Sequence, residues 1–289
     1  MSDPIPPGIT SLVVSQAGDI VVETYADGDA STLRNTRSCT KTVLGMLVGI
    51  AIDRGAVPSV QIRLVDLLGR AVDPVKRQIT IEELLTMSSC LDCDDWDPTS
   101  PGNEEAMYPQ PDWEAFALGL PVRLDRSFRY CTAGVVLLGI ALERALGEPL
   151  PHFAERELFR PLGIARAEWQ RTPRGETSTA GGLLLTSRSL LALGELYLER
   201  GRDVVPESWV RASTEAHATI DDETRYGYLW WLRAFSGRHS FYMTGFGGNR
   251  VHVVPELDLV AVITSVNFGR KDAHELSDRV LVERVLETV

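Results

Sequence analysis

Residues 37 to 55 read RSCTKTVLGMLVGIAIDRG, with a serine three positions ahead of a lysine at the mouth of an apolar run. Lys41 is one of only three lysines, with Lys76 and Lys271, among 29 basic residues. Arginine serves everywhere else. Arginine keeps its proton in a protein, whereas a lysine withdrawn from water can lose one near neutral pH and act as a base. If Thr42 to Asp53 is a helix, positions 38 and 41 stand a turn apart on one face, so hydroxyl and amine come within reach of each other. Ser38 then sits at the amino end of the helix, where unpaired N–H groups and the dipole favour negative charge on an attacking oxygen. A plainer reading also fits the segment, with Ser38 as an N-cap and Lys41 as a first-turn surface residue.

The chain of 289 residues is 44% hydrophobic and 24% charged, enough to bury a core without staples. It has no uncharged apolar run of roughly eighteen residues or more, the length a membrane span needs. Its start, MSDPIPPGITSLVV, lacks a basic region followed by a long apolar one, so cytoplasmic residence is expected. A net charge of -11 disfavours nucleic acid and anionic membrane as partners, since both call for a positive surface. The pair Cys90 and Cys93 has CxxC spacing but no second such pair, and the histidines form no HxH or HExxH pattern. A zinc site, or any metal, is therefore not expected. Packed or free thiols are expected at Cys39, Cys90, Cys93 and Cys131.

Two β-branched runs about Gly18, in TSLVVSQAGDIVVETYA, read as a hairpin. RVHVVPELDLVAVITSVNF near the other end gives two strands about Pro255 and Glu256, and DAHELSDRVLVERVLETV follows with helical spacing. Between the two ends helical signals dominate: ITIEELLTMSS, PDWEAFALGL, TAGVVLLGIALERALGE, LPHFAERELF, TSRSLLALGELYLERG and PESWVRAST. Strands from both ends pair only if the chain closes on itself. The expected fold is thus α+β, one antiparallel sheet flanked by helices with a helical lobe inserted. A single catalytic domain spans 1–289, its sheet lobe at about 1–60 and 190–289 and its helical lobe at about 61–189. The polar, proline-rich stretch WDPTSPGNEEAMYPQPDW is the one long loop, of a length that often shapes a site.

Three segments then line up in order: Ser38-Cys39-Thr40-Lys41, Tyr130-Cys131-Thr132, and Met243-Thr244-Gly245. With their surroundings ITIEELLTMSSCLD, GGLLLTSRSLLALGELYLERG and YGYLWWL, they resemble the SxxK, YxN and KTG or HTG motifs of one serine hydrolase family. It is the family built like class C β-lactamases, penicillin-binding peptidases, esterases and 6-aminohexanoate-dimer hydrolase, and the resemblance covers almost the whole chain. It implies a β-lactamase-like fold and catalysis by Ser38, Lys41 and Tyr130 without a cofactor. A developing oxyanion would be held by the backbone N–H groups of Ser38 and Phe246, and Thr132, Met243, Thr244 and Gly245 would face the substrate. Lys41, its pKa lowered by burial and the helix dipole, would share one proton with Tyr130, whose phenol the neighbouring ammonium would lower in turn.

The departures from the family pattern bear on substrate. Met243 stands where the family has a lysine or histidine, and Thr132 replaces an asparagine whose amide offers both donor and acceptor. The implied activity is hydrolysis of a small ester or amide through an acyl-enzyme, with poor action on β-lactams. Two alternatives stay open: transfer of the same acyl group to an amine or alcohol, and a noncatalytic ligand-binding relative. Cys39 and Cys131, which flank the nucleophile and the tyrosine, are expected to lie near each other as packed thiols. Trp230 and Trp231 are expected as core and sheet-face aromatics.

Overall fold

The computed structural model describes residues 5–70 and 72–288. The hairpin at Gly18 forms from β1 (Ile9–Gln16) and β2 (Asp19–Tyr25), and Gly18 takes a φ of 84° that suits glycine. Two short strands, β3 (Arg34–Asn35) and β4 (Glu168–Trp169), flank β5 (Leu183–Leu185) in a small second sheet. The strands β6 (Ala218–Thr219), β7 (Arg225–Tyr226), β8 (Trp231–Phe235), β9 (Arg238–Gly245), β10 (Asn249–Val254) and β11 (Leu259–Ser265) complete the main sheet. Its order is β2-β1-β11-β10-β9-β8-β7-β6. The two ends of the chain do pair, with Val13 of β1 opposite Val262 of β11.

Alternation along these strands feeds two cores. Val13, Val251, Val253, Val260 and Val262 join the large core, while Leu12, Val14, Leu259, Ala261 and Ile263 face a smaller one with Val280 and Leu281. Both faces of the centre are covered, which is why β11 reads as a continuous apolar run. Helix α1 (Cys39–Asp53) is buried from Cys39 to Ala51 and begins three residues earlier than the apolar pattern suggested.

Short helices α2 (Leu64–Leu68) and α3 (Ile81–Leu85) follow, the latter started by a capping box of Thr80 and Glu83. The long loop is not wholly irregular: it holds α4 (Glu104–Met107) and leads into α5 (Trp113–Gly119). Helix α6 (Thr132–Leu146) is buried through Leu142, and α7 (Leu150–Ala154) runs on into a wider turn over Glu155–Phe159. The remaining helices are α8 (Ser187–Leu198), α9 (Glu207–Ser213) and α10 (Ala273–Leu281). Among the described residues no helix is long and apolar enough to cross a membrane.

The cysteine expectation needs correction. Cys93 and Cys131 form a disulfide with their Cα atoms 5.3 Å apart, while Cys39 and Cys90 are buried thiols. The segment after Leu91 folds back against the start of α6, where the Asp95 N–H donates to the Tyr130 carbonyl at 2.8 Å. That return brings Cys93, rather than Cys39, to Cys131.

Candidate active site

The turn that presents Ser38 is fixed from three sides. Thr36 donates both its N–H (3.0 Å) and its hydroxyl (2.8 Å) to the Leu183 carbonyl, which ties the turn to β5. Arg37 takes a φ of 52°, uncommon for a side chain with a Cβ, and its N–H donates to Asn35 Oδ1 at 2.8 Å. Gly245, at the end of β9, passes so close that a Cβ there would lie 2.4 Å from the Thr36 carbonyl oxygen. Gly245 therefore serves by letting the strand approach the turn that carries Ser38.

Ser38 makes no capping bond with its side chain. Its Oγ instead accepts from Lys41 Nζ at 2.9 Å, and the same amine donates to the Ala180 carbonyl. Lys41 is 1% exposed, so the surface-residue reading of this lysine does not hold. Tyr130 lines the same cavity as Ser38, and the amine lies 5.3 Å from the centre of the Tyr130 ring. Serine, lysine and tyrosine thus meet at one point. Neither the Ser38 nor the Phe246 N–H makes a backbone hydrogen bond among the described residues, so both donors are free for an incoming oxygen.

These groups open into a cavity of about 670 Å³, with Ser38, Tyr130, Thr244, Gly245 and Phe246 on its wall. The Thr244 hydroxyl has no hydrogen-bond partner among the described residues, and Phe246 is 58% exposed at the rim. Two of the anticipated substrate contacts are placed elsewhere. Met243 is fully buried in the large core, because alternation along β9 turns it away from the face that carries Thr244. Thr132 is also fully buried; its hydroxyl donates to Glu104 Oε2 at 3.3 Å and its N–H to Asp95 Oδ2 at 2.8 Å.

Burial lowers the pKa of Lys41, and the charges of Glu104 and Asp95 act against that shift. Tyr130 behaves differently from the expectation. Its burial raises the phenol's pKa, the nearby Ser38 lowers it, and Asp95 and Glu104 add to the rise. The phenol is therefore neutral at ordinary pH rather than half of a shared-proton base. Asp95, mostly buried, is pushed up to about 6, and His274 is pushed down to about 4, each chiefly by burial.

Several wall residues escaped the sequence motifs. Glu104 comes from the long polar segment and Asp95 from the position just before it, where density of acidic side chains was the available signal. Trp231 lines the cavity while its neighbour Trp230 is fully buried, so only Trp230 follows the core expectation. Arg250, opposite Thr244 in the β9–β10 register, also reaches the cavity, but its Nε donates to Asp278 Oδ1 at 3.0 Å.

The fold is shared with known proteins. The chain superposes on a putative 6-aminohexanoate-dimer hydrolase from Bacillus anthracis with a TM-score of 0.81 at 16% identity, covering 98% of this chain and 80% of that one. The hydrolase EstCE1, described as having promiscuous acyltransferase activity, gives a TM-score of 0.78 at 17% identity over 95% and 93% of the two chains. A D-stereospecific amidohydrolase from Streptomyces sp. gives 0.73 at 17% identity over 94% and 93%. A search of curated proteins finds no match. The beta-lactamase family profile matches residues 7–284, and the chain belongs to the beta-lactamase family.

Proposed function

We propose that the protein is a serine hydrolase that cleaves a small ester or amide through an acyl-enzyme on Ser38. The observation that carries this is the 2.9 Å hydrogen bond between Ser38 Oγ and the amine of the buried Lys41. A neutral Lys41 takes the hydroxyl proton as Oγ bonds to the acyl carbon, and the carbonyl electrons move onto its oxygen. The free N–H groups of Ser38 and Phe246 would receive that oxyanion, and losing one such donor typically costs roughly a hundredfold or more in rate. Collapse of the intermediate breaks the bond to the leaving group, which takes a proton from the Lys41 ammonium, with the Tyr130 phenol donating a hydrogen bond in the same cluster. Water then attacks the acyl-enzyme by the reverse proton path and releases the acid. This division into two easier steps is the gain of covalent catalysis.

The cavity carries Asp95, Glu104, Asp221 and Glu275 against one arginine, and that arginine is engaged by Asp278. Such a wall disfavours substrates with a carboxylate, which supports poor turnover of penicillins and cephalosporins. The printed description of EstCE1 keeps acyl transfer to an alcohol or amine as the second reading. Incubation with p-nitrophenyl esters of short acids followed by intact mass and peptide mapping tests the proposal. An adduct on Ser38 is expected, with nitrocefin turned over far more slowly than the best ester. Absence of any adduct across several acyl lengths on folded protein would overturn it in favour of a noncatalytic ligand-binding role. Added methanol or amine would reveal transfer by diverting product from acid to ester or amide.

A further inference from the structure

We propose that the substrate carries a positive charge on its acyl part, and that Glu104 and Asp95 read that charge beside Ser38. The proposal rests on the serine and lysine chemistry above and names its substrate class. The two carboxylates are a wall of the nucleophile's own cavity, not a separate surface feature.

Their placement is fixed by the chain. Asp95 Oδ1 accepts the Glu104 N–H at 2.9 Å and Oδ2 accepts the Thr132 N–H at 2.8 Å. Glu104 Oε2 accepts the Tyr108 hydroxyl at 2.7 Å and the Thr132 hydroxyl at 3.3 Å. Thr132 stands where the family motif has an asparagine, and here it holds a carboxylate at the cavity wall. Position 132 thus contributes a negative group by proxy in place of a neutral amide.

The charge balance points to what fills the site. The groups that act on the Lys41 amine are Cys39 on its own helix, Asp95 just before the long segment and Glu104 within it, and the Ser38, Tyr130 and Ala180 contacts already described. Both carboxylates favour the ammonium form, and Lys41 is the cation whose charge acts on Asp95. Base catalysis needs the amine form. A cationic group on the substrate resolves the conflict, because it offsets the negative wall and releases Lys41 to give up its proton as the substrate arrives. The neighbouring rings suit a cation as well. Trp96 is 55% exposed, its ring lies parallel to Tyr130 with centroids 5.8 Å apart, and the Trp231 ring is 6.1 Å from it. Aromatic faces attract alkylammonium groups and exclude water around them.

The test compares the p-nitrophenyl ester of butanoic acid ending in trimethylammonium with its neutral tert-butyl isostere, each rate divided by its hydroxide rate. Wild type is expected to show a kcat/KM roughly tenfold or more higher for the cationic ester, as expected for a charge placed within several ångströms of two partly buried carboxylates. That preference should shrink in high salt, which screens the wall. Glu104→Gln, whose amide oxygen can still accept from Tyr108 and Thr132, should lose most of the preference. Equal kcat/KM for the two esters on wild type, with Ser38 acylated by both, would overturn the charge reading and leave the serine mechanism standing. A cationic preference that survives both salt and Glu104→Gln would also overturn it. No Ser38 adduct from either ester would remove the serine mechanism and this proposal together.

Discussion

Replacing Lys41 by arginine and by methionine separates a base from a buried charge. The lysine is 1% exposed and its amine bonds to Ser38 Oγ at 2.9 Å and to the Ala180 carbonyl. An ordinary lysine, with a pKa of about 10.4, is almost wholly charged at neutral pH, and burial moves this one toward the amine. Arginine keeps the charge and the hydrogen-bonding capacity but not the ability to give up a proton. A positioned general base contributes about a hundredfold to ten-thousandfold, so Lys41→Arg should slow acylation of Ser38 by that order. Lys41→Met removes charge and base together at similar length and should fall as far, which guards against an arginine too bulky for the site. Tyr130→Phe should fall less, because the neutral phenol supplies a hydrogen bond and not the base. The double variant should lose less than the product of the two. Stopped-flow release of p-nitrophenol, intact mass of the adduct and thermal unfolding of each variant measure this. Lys41→Arg acylating within about threefold of wild type while Lys41→Met is slow would refute the reasoning, since the lysine would then supply only charge.

Gly245→Ala puts a Cβ 2.4 Å from the Thr36 carbonyl oxygen, so the turn that carries Ser38 or β9 must shift. Overpacking of this kind costs about 1–3 kcal/mol, and slower Ser38 acylation beside a lower unfolding temperature is expected. The disulfide between Cys93 and Cys131 spans 38 residues, so Cys93→Ser should lower stability by up to about 4 kcal/mol in denaturant titration, and an unchanged midpoint would argue against the bond. His252 is fully buried, and burial holds its pKa down at about 3, against 6.5 for an ordinary histidine. Between those values the unfolded chain binds a proton that the folded one refuses, so stability falls as pH drops from neutral toward 3, by at most about 1.4 kcal/mol per unit. His252→Gln should flatten that slope in unfolding curves recorded between neutral pH and mild acid.

How far the sequence could be read follows from how local each signal is. The Ser38 and Lys41 pair was legible because three residues of spacing and one apolar run carry it, and α1 forms around both. The hairpins at the two ends were legible from β-branched runs on either side of a turn. The disulfide was not, because Cys93 and Cys131 approach only after the segment beyond Leu91 returns to Tyr130. Asp95 and Glu104 were hidden for the same reason: their partners lie at Thr132, and no period in a polar loop announces such a contact. Trp230 and Trp231 teach a smaller lesson. Adjacent positions in extended chain point to opposite faces, so one goes to the core and the other to the cavity.

The same alternation changes what the missing lysine or histidine at position 243 means. On β9, Thr244 faces the cavity and Met243 the core, so a methionine there adds apolar packing without exposing an apolar wall to substrate. A cation does reach the cavity from the next strand, since Arg250 lies opposite Thr244, yet Asp278 already holds it at 3.0 Å. A substrate carboxylate placed beside Thr244 would have to compete with Asp278 for that guanidinium and would share the cavity with Asp95 and Glu104. A neutral or cationic substrate meets neither obstacle. On the proposed reading, selection against carboxylates would come from the cavity's charge distribution, carried by Asp95, Glu104, β10 and α10, and a single substitution at Met243 is expected to leave it in place.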